Sequence, residues 1–221
     1  MISKALTFTL AGLLFSAILL PGNVLAQQPE SGPTFGFQTP EAWRGEVISL
    51  PPGFAQDLAW KGVENIRFAP GMFKADHESF FSYLLVFLLD KEADVSEAAV
   101  KKQVLVYYQG LAKAVAGKEL PDLDTEAFKL KLKPVEALKP NPGDKAGKAA
   151  AGLKTWSGTL DWVEPFATKK AQTLNLEVHL WKHGEQPALY FTVSPQAADH
   201  AIWKEMRAFR AGFTFGEAKA P

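Results

Sequence analysis

Apolar and polar residues alternate along most of this chain, and the pattern shifts to a helical period in two places. Gly45 to Leu50 (GEVISL) reads as a short strand ended by Pro51-Pro52-Gly53. Val63 to Phe68 (VENIRF) sets Val63, Asn65 and Arg67 on one side and Ile66 and Phe68 on the other, a strand period that Ala69-Pro70-Gly71 stops. Phe80 to Leu89 (FFSYLLVFLL) is apolar nearly throughout. It is too short to cross a membrane as a helix, and its aromatic content suits a strand buried on both faces.

From Asp94 to Gly117 the period becomes helical. Asp94 can cap the amide of Glu97 while Glu97 reaches back. Val100, Val104, Tyr107, Tyr108, Leu111 and Val115 then form one stripe, and Gly117 stands where a left-handed terminator fits. Strand periods return in Phe128 to Lys133 (FKLKLK), which has one apolar face and one face of lysines. Trp156, Gly158, Leu160 and Trp162 share a face, as do Leu174, Leu176, Val178 and Leu180, and then Leu189, Phe191 and Val193. His183 to Pro187 joins the last two runs as a hairpin loop. A closing helix is expected with Ser194 as cap and Pro195 at its first position. It would bury Ile202, Met206 and Phe209, with Trp203 flanking, and end at Gly212.

The order β-β-β-α-β-β-β-β-α, with short turns between consecutive strands, predicts a single α+β domain. Its centre is a mainly antiparallel sheet of about seven strands with two main helices packed on it. The domain is expected over 45–216, after a loosely ordered lead-in at 27–44 and before a tail at 217–221. Lys139 to Gly152 (KPNPGDKAGKAAAG) reads as a mobile surface loop.

Compartment follows from the first residues. One lysine, Lys4, precedes an apolar run from Ala5 to Leu20, then Pro21-Gly22 and the small residues before Gln27. That is the layout of a signal peptide over 1–26, cleaved after Ala26, and it predicts a periplasmic or extracellular protein with no membrane span once cut. Cleavage of 26 from 221 residues leaves 195, enough for one full core. The chain carries 24 basic and 24 acidic residues, so no basic excess points to nucleic acid. It has no cysteine, which excludes disulfides, thiol catalysis and zinc–thiolate sites.

No catalytic motif stands out. There is no G-x-S-x-G, S-x-x-K or phosphate-binding glycine loop. His179 and His183 lie four apart on a strand, about 13 Å, so no shared metal ion is expected. Asp76-His77-Glu78 point different ways and read as a polar loop, and His200 as part of a solvent-facing first turn. The polar side of the sheet is the best place for a site. There Asp161, Glu177 and His179 are the candidate acid–base residues of a hydrolase or isomerase, and Trp181 and Tyr190 the candidate ligand-binding aromatics. Lys129, Lys131 and Lys133 read as edge protection. Phe54, Trp60 and Phe73, in the segment between Leu50 and Phe73, form a candidate recognition patch if they are exposed together.

The order of landmarks resembles the PsbP/Mog1-like family of exported or cytosolic domains. A strand ends in a Leu-Pro-x-Gly turn (Leu50 to Gly53, followed by Phe54), and a strand led by Gly62 ends at Phe68 and Pro70. A hairpin leads to "ALYFTV", and the last helix ends in "FRAGFTF". The resemblance runs from about Glu46 to Phe215. The chain departs from it in its longer Pro/Lys loop and its aromatic-heavy third strand. It implies a three-layer α/β/α sandwich without a shared catalytic motif, whose members mostly bind or assemble. The expectation is therefore an exported, non-enzymatic domain that binds a protein or small ligand without a cofactor. A hydrolase or isomerase and an envelope-associated structural protein are the alternatives.

Overall fold

The computed structural model describes residues 34–136 and 154–216. The expected signal peptide, the start of the lead-in, the Pro/Lys loop and the tail lie outside the described residues. The strands are β1 (Thr34–Gly36), β2 (Gly45–Leu50), β3 (Gly62–Phe68), β4 (Tyr83–Leu89), β5 (Lys129–Val135), β6 (Thr155–Val163), β7 (Ala171–His183), β8 (Gln186–Ser194) and β9 (Thr214–Gly216). The helices are α1 (Glu97–Ala116) and α2 (Ala201–Gly212), and a single 3-10 turn spans Thr125–Ala127. Seven strands form one sheet in the order β2-β3-β4-β8-β7-β6-β5, and β1 pairs with β9 in a separate ribbon. Every neighbouring pair is antiparallel.

β4 lies near the middle of the sheet, and all seven of its side chains are buried. Its odd-numbered residues, from Tyr83 to Leu89, pack with Val100, Val104, Tyr107 and Tyr108 of α1. Leu84, Val86 and Leu88 pack with Ile202, Trp203 and Met206 of α2. One strand thus feeds two cores, and the helices cover opposite faces of the sheet as three layers. At about 2 kcal/mol for each fully buried large apolar side chain, this strand is a leading contributor to stability. On the α1 face Gly158 lets β5 approach, because a Cβ there would overlap the Lys131 carbonyl and stand 2.9 Å from Leu132.

Several helix and strand boundaries differ from the sequence expectation. α1 is capped by Ser96, whose hydroxyl accepts from Ala99 N at 3.2 Å. Asp94 instead accepts from Ser96 N at 2.8 Å, which uses up the carboxylate before the helix begins. Gly117 is helical (φ −58°, ψ −28°), and the chain leaves through a further turn. The fourth strand starts at Tyr83, three residues later than the apolar run, because Ser79 to Ser82 belong to the turn before it.

α2 starts at Ala201, with His200 and not Ser194 as cap. Ser194 stays in β8, paired with Asn175, with its Oγ 2.8 Å from Ser82 Oγ. The chain needs residues 195–200 to cross to the other face, and the Trp203 indole fastens that crossing by donating to Gln196 O at 2.8 Å. The described part of the lead-in begins at Thr34 and packs on the domain. Phe35 meets Phe215 across the β1–β9 ribbon at 5.7 Å, and buried Trp43 lies against Phe209 at 5.2 Å.

Candidate functional site

Register decides what the polar face of the sheet can do. Opposite residues in an antiparallel pair share a face, with Cβ atoms about 5 Å apart. Glu177 stands opposite Thr192, His179 opposite Tyr190, and Trp181 opposite Ala188. On the other side of β7, Glu177 faces Ser157 and His179 faces Thr155. These residues form a block three strands wide and two or three residues long, and α2 lies over it.

Trp181 and Tyr190 are therefore not open aromatics. Trp181 stacks on Phe213 at 5.5 Å, and Tyr190 meets Phe213 edge-on at 5.3 Å. Both belong to the α2-side core. The sequence placed them on the correct face, but alternation cannot show that a helix and a Phe-rich ribbon cover that face.

The three acid–base candidates do not converge. Asp161 pairs with Thr173, whose hydroxyl donates to Asp161 Oδ1 at 2.7 Å. Glu177 lies four residues further along the same strand, about 13 Å away, beyond any hydrogen-bonded relay. Glu177 Oε1 accepts from Arg207 of α2 twice, from Nε at 2.9 Å and Nη2 at 2.6 Å. His179 Nδ1 lies 3.3 Å from Thr155 Oγ1. Each candidate is engaged by a different partner.

Beneath α2 a different pattern emerges. Glu177 Oε2, His179 Nε2, Tyr190 Oη, Thr192 Oγ1 and Arg210 Nε are all buried and without a hydrogen-bond partner among the described residues. The first four belong to the two adjacent cross-strand pairs, and Arg210 of α2 acts electrostatically on both His179 and Tyr190. Burial, helped by the Arg210 charge, pushes the His179 imidazole down to about 3. Burial pushes the Tyr190 phenol up, with Arg210 opposing. The block is thus a neutral imidazole, two hydroxyls and a guanidinium N–H beside one carboxylate oxygen. Buried polar atoms are rarely left unpaired, since each costs about 1 to 3 kcal/mol.

A second polar place lies at the N-terminal end of α2, a cleft of about 190 Å³ between that helix and the loop before β4. His77 and His200 both line it. His77 Nδ1 accepts from Ser79 N at 3.1 Å, while Ser79 Oγ, 2.9 Å from the same ring nitrogen, accepts from Gly71 N. His200 Nδ1 accepts from Ile202 N at 3.2 Å, which makes a histidine the cap of α2. His183 lies apart, with its ring against Phe215 at 4.7 Å. Among the described residues no group of three or more His, Asp or Glu is placed to hold a metal ion.

The candidate recognition patch does not assemble. Trp60 is buried, donates to Asp94 O at 3.0 Å and packs on Phe87. Phe54 is half-buried against Tyr107, and Phe73, at 50 % exposure, leans on Phe68 and Phe166. The segment from Leu50 to Phe73 is mainly an entry into the core, with Phe73 as its one strongly exposed aromatic.

Sequence reasoning missed two buried carboxylates. Glu64 points into the α1-side core, where Tyr107 Oη donates to its Oε1 at 2.8 Å and its Oε2 has no partner among the described residues. Its phase was visible, since it alternates with Ile66 and Phe68. Glu164 closes the β6–β7 turn by accepting from the backbone N–H groups of Phe166, Ala167 and Thr168 and from the Thr168 hydroxyl. No sequence signal marks it. Glu164→Ala is expected to cost about 2 kcal/mol in urea unfolding, because charge-assisted bonds are lost while the freed N–H groups of a partly exposed turn take water. A cost within a few tenths of zero would show that the turn holds without it.

No family model matches this chain, and no curated protein matches it. Among solved structures it is similar to LpqN of Mycobacterium tuberculosis, described as involved in cell envelope biogenesis. Identity is 11 %, the match covers 86 % of this chain and 87 % of that one, and the TM-score is 0.31. A likeness of that size carries no conclusion about fold or function.

Proposed function

We propose that this protein is an exported, non-enzymatic α+β domain that holds a small polar ligand beneath α2, outside the cytoplasm. The observation that carries the reading is the concentration of five unpartnered buried polar atoms in one block of the β7–β8 face under a single helix. The other such atoms among the described residues, Glu64 Oε2 and Thr125 Oγ1, lie in other parts of the fold, so the block is a local concentration of them. The ligand supplies the partners that the protein does not. A catalytic role is disfavoured by the same geometry, because Asp161 stands a full turn of register away from Glu177 and His179.

Export rests on the layout of the first 26 residues, and it is consistent with a cysteine-free chain that relies on its core. Kinship with PsbP/Mog1-like domains belongs to the same reading and is supported by the layering, α1 on one face of the sheet and α2 on the other.

The test is native mass spectrometry of the protein recovered from the periplasmic fraction of an expressing bacterium. The expected result is a chain shortened by the 26-residue leader and carrying a bound small molecule. The paired substitutions Tyr190→Phe and Thr192→Val are expected to abolish retention while leaving the thermal midpoint within a few degrees. Recovery only in the cytoplasm would overturn export. A bare chain in both proteins would overturn the ligand.

A further inference from the structure

The two edges of the seven-stranded sheet, β2 and β5, differ in what they offer a further strand. Hydrogen bonds at the strand ends fix the phase of each edge. Phe68 N donates to Arg44 O at 2.7 Å, in register with the β2–β3 pairs. Bonded pairs alternate along an antiparallel ladder. Glu46 and Ile48 therefore bond to β3, and the N–H and C=O groups of Gly45, Val47 and Ser49 point away from the sheet. The next ladder agrees, since Ala69 N donates to Ser82 O at 3.0 Å and so assigns Val63, Asn65 and Arg67 to β4.

The β5 edge is closed. Leu180 N donates to Lys154 O at 2.9 Å, in register with the β6–β7 pairs, so the odd-numbered residues of β6 bond to β5. Their partners are the odd-numbered residues of β5, which leaves Leu130, Leu132 and Pro134 to point outward. Pro134 has no N–H to give. Two such edges centred on Leu132 would also set Lys131 against Lys133, like charge on like charge.

The β2 edge has no such guard. It holds neither lysine nor proline between Gly45 and Leu50, and Glu46 is its one charge. Gly45, Glu46, Val47 and Ser49 are exposed, and Val47, at 51 %, is the most exposed large apolar side chain among the described residues. Among those residues no backbone group bonds to the outward side of β2.

We propose that β2 pairs antiparallel with β2 of a second copy of this chain, about a two-fold axis at Val47. Outward groups bond only to outward groups, so Gly45, Val47 and Ser49 must pair among themselves. Centring on Val47 uses all of them, with Val47 opposite Val47 and Gly45 opposite Ser49 on either side. Two bonds per pair give about six across the axis. Glu46 then stands opposite Ile48, so no like charges face each other. A shift of one step toward Gly45 would set the two Glu46 carboxylates directly opposite, and a shift toward Leu50 would forfeit a bonded pair. The same parity keeps the α1 layers of both copies on one side of a continuous sheet. An outside strand could use the same bonds, but only β2 itself brings this match of charge and apolar surface from residues already in the chain.

The experiment is sedimentation velocity of the purified chain from about 1 μM to 1 mM. An edge contact is smaller than a standard interface of roughly 1,200 Å², so a reversible dimer half-formed at about 100 μM is expected. Val47→Lys puts a charge on the axis at an exposed position, and should weaken association at least about tenfold with the thermal midpoint within a few degrees. The register has its own test, because the chain has no cysteine. In Val47→Cys the two Cα atoms would lie about 5.5 Å apart, within disulfide range, and mild oxidation should cross-link the dimer. In Ser49→Cys, also at an exposed position, the two thiols would be four residues out of register, about 13 Å, and should not cross-link. A monomer throughout the concentration range would overturn the proposal, as would a dimer that Val47→Lys leaves unweakened. Val47→Cys that cross-links no faster than Ser49→Cys would overturn it too.

Discussion

Wild-type protein is expected to lose roughly 4 to 5 kcal/mol of folding stability between pH 6.5 and pH 3 through His179 alone. That figure is the gap between the ordinary imidazole value of 6.5 and about 3, at 1.36 kcal/mol per pH unit. The folded state refuses a proton that the unfolded chain accepts at 6.5. Stability from this residue is therefore complete above 6.5 and is lost as pH falls toward 3. The physical cause is position. His179 sits on the covered face between Thr155 and Tyr190, with the Arg210 guanidinium acting on it from α2 and Glu177 one residue pair away but engaged by Arg207. His179→Gln is expected to remove this residue's contribution over that window in urea unfolding at stepped pH, leaving the opposite slope of Glu64 uncovered above pH 4.5. An unchanged slope would mean that the imidazole is solvated and that α2 does not seal the block.

Glu64 works in the opposite direction. Burial, with the Glu46 charge adding and the Tyr107 hydrogen bond opposing, pushes its carboxyl up to about 7 from 4.5. The folded state keeps a proton that the unfolded chain releases, so this contribution is complete below 4.5 and is lost as pH rises through about 7. At 1.36 kcal/mol per pH unit the full change is roughly 3 kcal/mol. Ile48 stands opposite Glu64 on β2 with Glu46 two residues along that strand, Tyr107 reaches it from α1, and Tyr83 and Tyr108, hydrogen-bonded to each other, lie nearby.

Between pH 4.5 and 6.5 the two residues nearly cancel, so these terms leave the wild-type curve flat there. The variants expose what the cancellation hides. Glu64→Gln should lose stability steadily on acidification from 6.5, whereas His179→Gln should gain it from 7 down to 4.5. Parallel curves for the two variants would show that neither residue titrates as its surroundings require.

The fold was legible because most of its information lies in periods that side chains impose on the backbone. Val63 to Phe68, Leu174 to Leu180 and Leu189 to Val193 each alternate, and each became a strand, with residues of both faces buried in the first and the last. The nearly continuous apolar run of β4 correctly implied cover on both faces. What alternation does not encode is the cover itself. Phe35, Phe37 and Phe215 are isolated aromatics in glycine-rich sequence, and only pairing between the two ends of the domain gives them a shared surface.

The cap of α2 was missed for a similar reason. Ser194 and Pro195 have the chemistry of a helix start, but Ser194 is held in the sheet by Ser82 and Asn175. Tertiary pairing therefore overrides a local preference worth about 1 kcal/mol. The candidate site was half legible. Glu177, His179 and Tyr190 were placed on one face, and they do lie together. Asp161 was grouped with them only because register cannot be read before the strands are paired. Arg207 and Arg210, which decide the electrostatics of the block, come from a helix whose polar side reads in sequence as solvated surface.

The most direct test of the ligand block is a crystal structure of the gently purified protein at a resolution that distinguishes water from organic density. The account predicts a bound molecule within hydrogen-bond distance of Tyr190 Oη, Thr192 Oγ1, His179 Nε2 and Arg210 Nε, under an otherwise unchanged α2. A block filled by ordered waters alone, or one in which these four atoms pair among themselves, would contradict it.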